Sequence, residues 1–194
     1  MMLPESLATA TVSVGLLLGM AMALIAVIVT TRRSSAVFVM IAAAIVAAML
    51  ITVVVVPTDV PLPIALPLAL LGASVAVVGG NPLTREVLRL ATKGTVRDGE
   101  HGGILLRSAR EDDAAAVREV LLGGTTIGYL ERVATTLTIL VGFPEGLAVV
   151  VALKGIGRFS ELASAEARER FIIGTLASLV WASAVAATVR LAIW

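Results

Sequence analysis

Apolar residues collect into six runs, at 7–30, 36–56, 62–80, 125–142, 146–158 and 171–193, with short polar breaks between them. A helix needs roughly 20 apolar residues to cross the hydrocarbon core. The pattern therefore predicts six transmembrane helices. The fifth run is short and needs its flanks in order to span. Thr31-Arg32-Arg33-Ser34-Ser35 forms the first break, and Pro57-Thr58-Asp59-Val60-Pro61 the second, where proline cannot continue a helix. Pro63 suits a first helical turn, and Pro67 marks a kink in the third run. Gly142-Phe143-Pro144-Glu145 reads as a turn between the fourth and fifth runs. A re-entrant hairpin is the alternative for that pair.

The segment 81–122 is the one sizeable polar stretch. Leu83, Val87 and Leu90 follow a helical spacing and predict a short amphipathic helix on the bilayer surface. Residues 96–104 contain Asp98-Gly99 and Gly102-Gly103 and read as a turn or short hairpin. Residues 111–122 read as a second helix, opened by acids and ended by Gly123. The expected fold is all-α, a polytopic membrane helix bundle of about six transmembrane helices with a small cytoplasmic segment. Its regions are 1–80, three transmembrane helices; 81–122, the cytoplasmic amphipathic segment; and 123–194, three further helices with a charged hairpin.

Composition agrees with lipid as the solvent. The chain has 194 residues, 58% of them hydrophobic and 15% charged, and its mean hydropathy is +1.01. Soluble domains are about half apolar and about a quarter charged. The net charge of +1 points to no acidic partner, but its distribution sets an orientation. Six spans place Arg32, Arg33, the seven basic residues from Arg85 to Arg118, Lys154, Arg158, Arg168 and Arg170 on one side, and only Arg190 on the other. By the positive-inside rule the first side is cytoplasmic, which puts both termini outside a cell (inner or plasma) membrane. Met1 to Glu5 carry no Lys or Arg, and the run that follows is too long for a signal-peptide core, so a cleavable leader is not expected.

Chemistry is sparse. The absence of cysteine excludes disulfides and thiolate chemistry. His101 is the single histidine; it lies in a glycine-rich stretch without the companions that a zinc site requires, and no Ser-His-Asp arrangement can be built. Asp112 and Asp113 read as helix-opening acids, Glu145 as a solvated turn residue, Trp181 as packing, and Trp194 as part of an interfacial belt. Acids balance the basic loop residues, so nucleic-acid binding is not indicated. No metal or cofactor is implied. Gly15 and Gly19, and then Gly72, Ala76 and Gly80, have the spacing that lets helices approach closely; packing within the chain and a homo-oligomer seam are the two readings.

The unusual residues lie between 123 and 175. Charges inside lipid are costly and face a partner or a cavity. Gly128, Glu131, Thr135, Thr138 and Gly142 share one face of the fourth helix, with Arg132 beside them, and Lys154, Arg158 and Glu161 share a face of the fifth. Glu131 is roughly 18 Å from the turn and Lys154 roughly 15 Å, at 1.5 Å per residue. Antiparallel packing thus sets them at one level, with Arg158 a turn further toward the cytoplasm and Arg170 able to join. The predicted binding cluster is Glu131, Arg132, Lys154, Arg158 and Arg170. Gly124 and Thr125 join it as a helix N-terminus suited to an anion, although they also read as an ordinary helix start.

Gly124-x-x-Ile127-Gly128-x-Leu130-Glu131-Arg132, Ala152-x-Lys154, Arg158-Phe159-x-Glu161, Glu169 and Ile173-Gly174-Thr175-Leu176-x-Ser178 resemble the C-terminal membrane region of a bacterial domain-of-unknown-function family. The likeness covers roughly the last 75 residues. It implies a bacterial inner-membrane location and no established activity. Relatives in that family carry His and Asp in an N-terminal half that invites a hydrolase label; residues 1–122 show no such set.

Three functions follow as expectations. The first is transport or handling of a small solute, ion or membrane lipid at the charged cluster. The second is a non-catalytic assembly or regulatory subunit, with residues 81–122 binding a membrane partner protein. The third, an enzyme acting on a lipid phosphate, would need a metal held by Glu131, Glu161 and Glu169, whose spacing matches no motif; the sequence points away from it.

Overall fold

The computed structural model describes residues 5–33, 35–56, 59–91, 124–157 and 165–194. Predictions that fall on 92–123, which include His101, Asp112, Asp113 and the second polar helix, lie outside the described residues, as do Arg158 and Glu161. Six helices make up what is described: α1 (Glu5–Arg32), α2 (Ala36–Val55), α3 (Leu62–Ala91), α4 (Gly124–Leu140), α5 (Gly146–Gly157) and α6 (Ala165–Ile193). Four of them, α1, α2, α3 and α6, are long and apolar enough to cross a membrane. Large apolar side chains cover their outward faces, for example Leu18, Met40, Val54 and Leu70, as expected where lipid rather than water is the surroundings.

Two boundaries differ from the hydropathy reading. α3 does not stop at Gly80 to be followed by a separate surface helix; it runs unbroken to Ala91 through Pro82. α6 begins at Ala165, six residues before the apolar run. Both extensions carry charge, and Arg89 pairs with Glu86 on the first of them at 2.7 Å. α3 and α6 are antiparallel, since Gly72 meets Val189, Gly79 meets Trp181 and Gly174 approaches Thr84 and Leu88. Their charged ends thus project together past the apolar layer.

The four long helices share one core, in which Met20, Val46, Val75, Ala76, Val185 and Val189 are almost fully buried. Small residues on α1 and α3 are used within the chain. Gly19 faces the Met49 sulfur, Gly72 faces Val189, and Ala76 is fully buried, whereas Gly15 faces open space. Two buried hydroxyls return to their own helix, Thr30 to the Ala26 carbonyl and Thr188 to that of Ala184.

α4 ends in a Schellman turn. The Phe143 amide donates to the Thr138 carbonyl and the Gly142 amide to that of Ile139, with Gly142 in the left-handed region at φ 79°. Arg190 of α6 closes the same end, its Nη1 donating to the Leu140 carbonyl at 2.9 Å. Gly142→Ala should cost about 1–2 kcal/mol, the left-handed penalty for a side chain, increased by crowding against Arg190 Nη2, 2.8 Å from the added carbon. Denaturant titration in mixed micelles measures it. Gly142→Asn should recover part of the loss, because asparagine tolerates this conformation.

Candidate functional site

Glu131 and Arg132 are consecutive, so their side chains leave α4 about 100° apart. That angle sends the acid to one neighbour and the base to others.

Glu131 turns toward α5. Lys154 Nζ donates to its Oε2 at 2.5 Å. The two side chains are 9% and 18% exposed, so this is a pair held largely away from water, and a charge-assisted one. It is incompletely satisfied: Glu131 Oε1 is buried with no hydrogen-bond partner. Lys154 Nζ also stands 5.8 Å from the centre of the Phe171 ring on α6. Beside the pair lies a cleft of about 330 Å³ between α4 and α5, with apolar walls from Ile127, Leu130, Ala134, Val150 and Leu153. α5 rests chiefly on α4, where Gly146 lets the chain approach Thr138 closely. The rest of α5 is exposed or half-buried.

Arg132 turns the other way and is 2% exposed. Its Nε donates to the Val77 carbonyl at 2.7 Å, its Nη2 to Asn81 Oδ1 at 2.8 Å, and its Nη1 to Ser178 Oγ at 3.1 Å. The Tyr129 ring lies 5.1 Å from the guanidinium carbon. One side chain thereby fastens α4 to both α3 and α6. The space it needs comes from Gly80, where an added carbon would stand 2.6 Å from Arg132 Nε. Gly79 does the same for Trp181, whose indole donates to the Val75 carbonyl at 3.1 Å. The pair of glycines is a slot for two large polar-tipped side chains.

A scan against protein-family models, a search of curated proteins and a search of solved structures each return no match to this chain.

The structure therefore divides the predicted cluster. Glu131 and Lys154 come together. Arg132, expected in the Lys154 cluster, does not join them; its guanidinium instead donates to α3 and α6. Arg170 is half-buried on α6 and engaged in an interaction of its own, but it does not line the cleft. Gly124 and Thr125 do open α4, two turns from Glu131 and away from the cleft lining. Thr135 and Thr138 lie on the Glu131 side as expected. Thr135 is fully buried with an unpartnered hydroxyl, and Thr138 donates to the Thr135 carbonyl. Among the described residues no three His, Asp or Glu side chains stand close enough to hold a metal. Sequence reasoning missed Asn81 and Ser178 as partners of Arg132. The signal was present in Gly79-Gly80-Asn81, which the hydropathy reading took as the end of a span.

Proposed function

We propose that this protein handles a small solute, an ion or a membrane lipid at the α4–α5 cleft, in the cytoplasmic half of a membrane that the chain crosses six times with both termini outside. One observation carries the reading: a largely buried ion pair, with one carboxylate oxygen unpartnered, lines an apolar cleft. A pair built only to fasten two helices gains nothing from an orphan acceptor, which costs about 1–3 kcal/mol when buried. A ligand can take up a spare Lys154 donor and offer its own donor, a proton or a cation to the unpartnered Glu131 oxygen. The span count is supported by the far end of the hairpin. The Schellman turn is held by Arg190 near the end of α6, where the Val60 amide also bonds the Ala192 carbonyl. At about 25 Å and 18 Å, α4 and α5 are short for a core of about 30 Å, so the hairpin draws on its flanking residues or a thinned bilayer.

A second reading, an assembly subunit, is favoured by the apolar outer surface of α5, where Val149, Val151, Leu153 and Ile156 are exposed. The absence of cysteine gives a direct test. Ala134→Cys lines the cleft and leaves both members of the ion pair unchanged in identity. In phosphatidylcholine vesicles with a charged methanethiosulfonate reagent on both faces, it should be modified, while Thr188→Cys in the core stays unmodified. Resistance of Ala134→Cys would leave the cleft closed to polar ligands and favour the assembly reading.

A further inference from the structure

Resting on the reading of the cleft as a ligand site, we infer that its occupant is a phospholipid whose head group carries both a phosphate and a primary ammonium. The hydrogen-bond deficits of the ion pair specify this combination. A lysine ammonium has three donors and no acceptor. Glu131 takes one of them, and among the described residues no other oxygen is seen to accept from Lys154. The ionised carboxylate accepts only, and its Oε1 lacks a donor. A group that completes both must offer an acceptor to Lys154 and an N–H donor to Glu131. A phosphate meets the first need and a primary ammonium the second.

The exchange leaves the charge unchanged. The ion pair is neutral and so is the zwitterionic head group, so each new contact joins opposite charges and no net charge is carried into the bilayer, where it would be expensive. The terminal torsion of glutamate is broad and two-fold, so a rotation that carries both oxygens turns Oε1 toward the cleft, and the flexible Lys154 side chain follows Oε2. Apolar walls from Ile127, Leu130 and Val150 continue away from the charges and suit the start of an acyl chain. The cleft volume of about 330 Å³ equals roughly ten waters, enough for a head group but not for a whole lipid, whose chains would remain in the bilayer. Choline fails the second requirement because its nitrogen has no hydrogen. Glycerol head groups offer neutral hydroxyls in place of the ammonium.

The Ala134→Cys protein in vesicles tests this. Replacing a fraction of the phosphatidylcholine with phosphatidylethanolamine should slow modification roughly tenfold, the value of one charge-assisted hydrogen bond. Phosphatidylglycerol at the same fraction, or soluble phosphoethanolamine, should protect far less. Adding Glu131→Gln should reduce phosphatidylethanolamine protection to the phosphatidylglycerol level. Equal protection by phosphatidylglycerol would show that the phosphate alone is recognised and overturn the inference, as would equal protection by soluble phosphoethanolamine for the lipid itself. Modification that no lipid slows also overturns it, while leaving the cleft a polar site; no modification in phosphatidylcholine removes the underlying reading instead.

Discussion

Gly80→Ala is expected to destabilise the protein by about 3 kcal/mol, although it adds a single methyl group to a helix. The added carbon falls on the Arg132 side chain, 2.6 Å from Nε, and the contact cannot be relieved cheaply. Arg132 is held at three points, by Val77, Asn81 and Ser178, so moving it strands a buried cation and the groups it serves. Equilibrium unfolding in mixed micelles measures the loss. Because the cost runs through one side chain, the two positions should be strongly coupled. In an Arg132→Ala background, the same Gly80→Ala change should cost less than about 1 kcal/mol, since the space is then free. An undiminished cost in that background would mean that the glycine serves something other than the arginine.

Glu131→Gln should cost about 2–3 kcal/mol, because a largely buried ammonium loses its counter-charge. The effect should be local. α5 rests chiefly on α4 and buries little else, so amide exchange across 146–157 should speed up while α3 and α6 keep their protection. Glu131→Gln with Lys154→Met removes both charges and should regain most of the loss, since a matched apolar replacement of a buried pair is often neutral. If the double variant is no better than the single one, Lys154 is not what Glu131 stabilises. If exchange rises equally in every helix, α5 is not separately attached.

The bundle was legible in the sequence because lipid imposes one rule, a sufficient apolar run, and α1, α2, α3 and α6 obey it. Helix boundaries were less legible because hydropathy reports where lipid ends, not where a helix ends. α3 continues through Asn81 and Pro82 to Ala91, and α6 begins at Ala165 before its apolar run; both continue as helix where the surroundings turn polar. The Glu131–Lys154 pairing could be read from arm lengths about the turn at Gly142, since two helices leaving one turn must match in depth. The error over Arg132 came from treating adjacent charges as one cluster. Depth is set by position along an axis, but direction is set by rotation about it, and one residue changes the latter by about 100°. Which neighbour stands at that angle depends on packing, and for Arg132 it was decided by Gly80, some 50 residues earlier.

The fastening of Arg132 also bears on biosynthesis. A segment holding both an acid and a base is a poor candidate for leaving the translocon by itself. Two of the acceptors for its guanidinium, Val77 and Asn81, are on α3, which is translated first and is already in place. The third, Ser178, arrives only with the last helix. Glu131 waits 23 residues for its own cation. α4 therefore has a partner for its base on emergence and none yet for its acid, so α4 and α5 are best docked against the third helix as one unit before the sixth locks them.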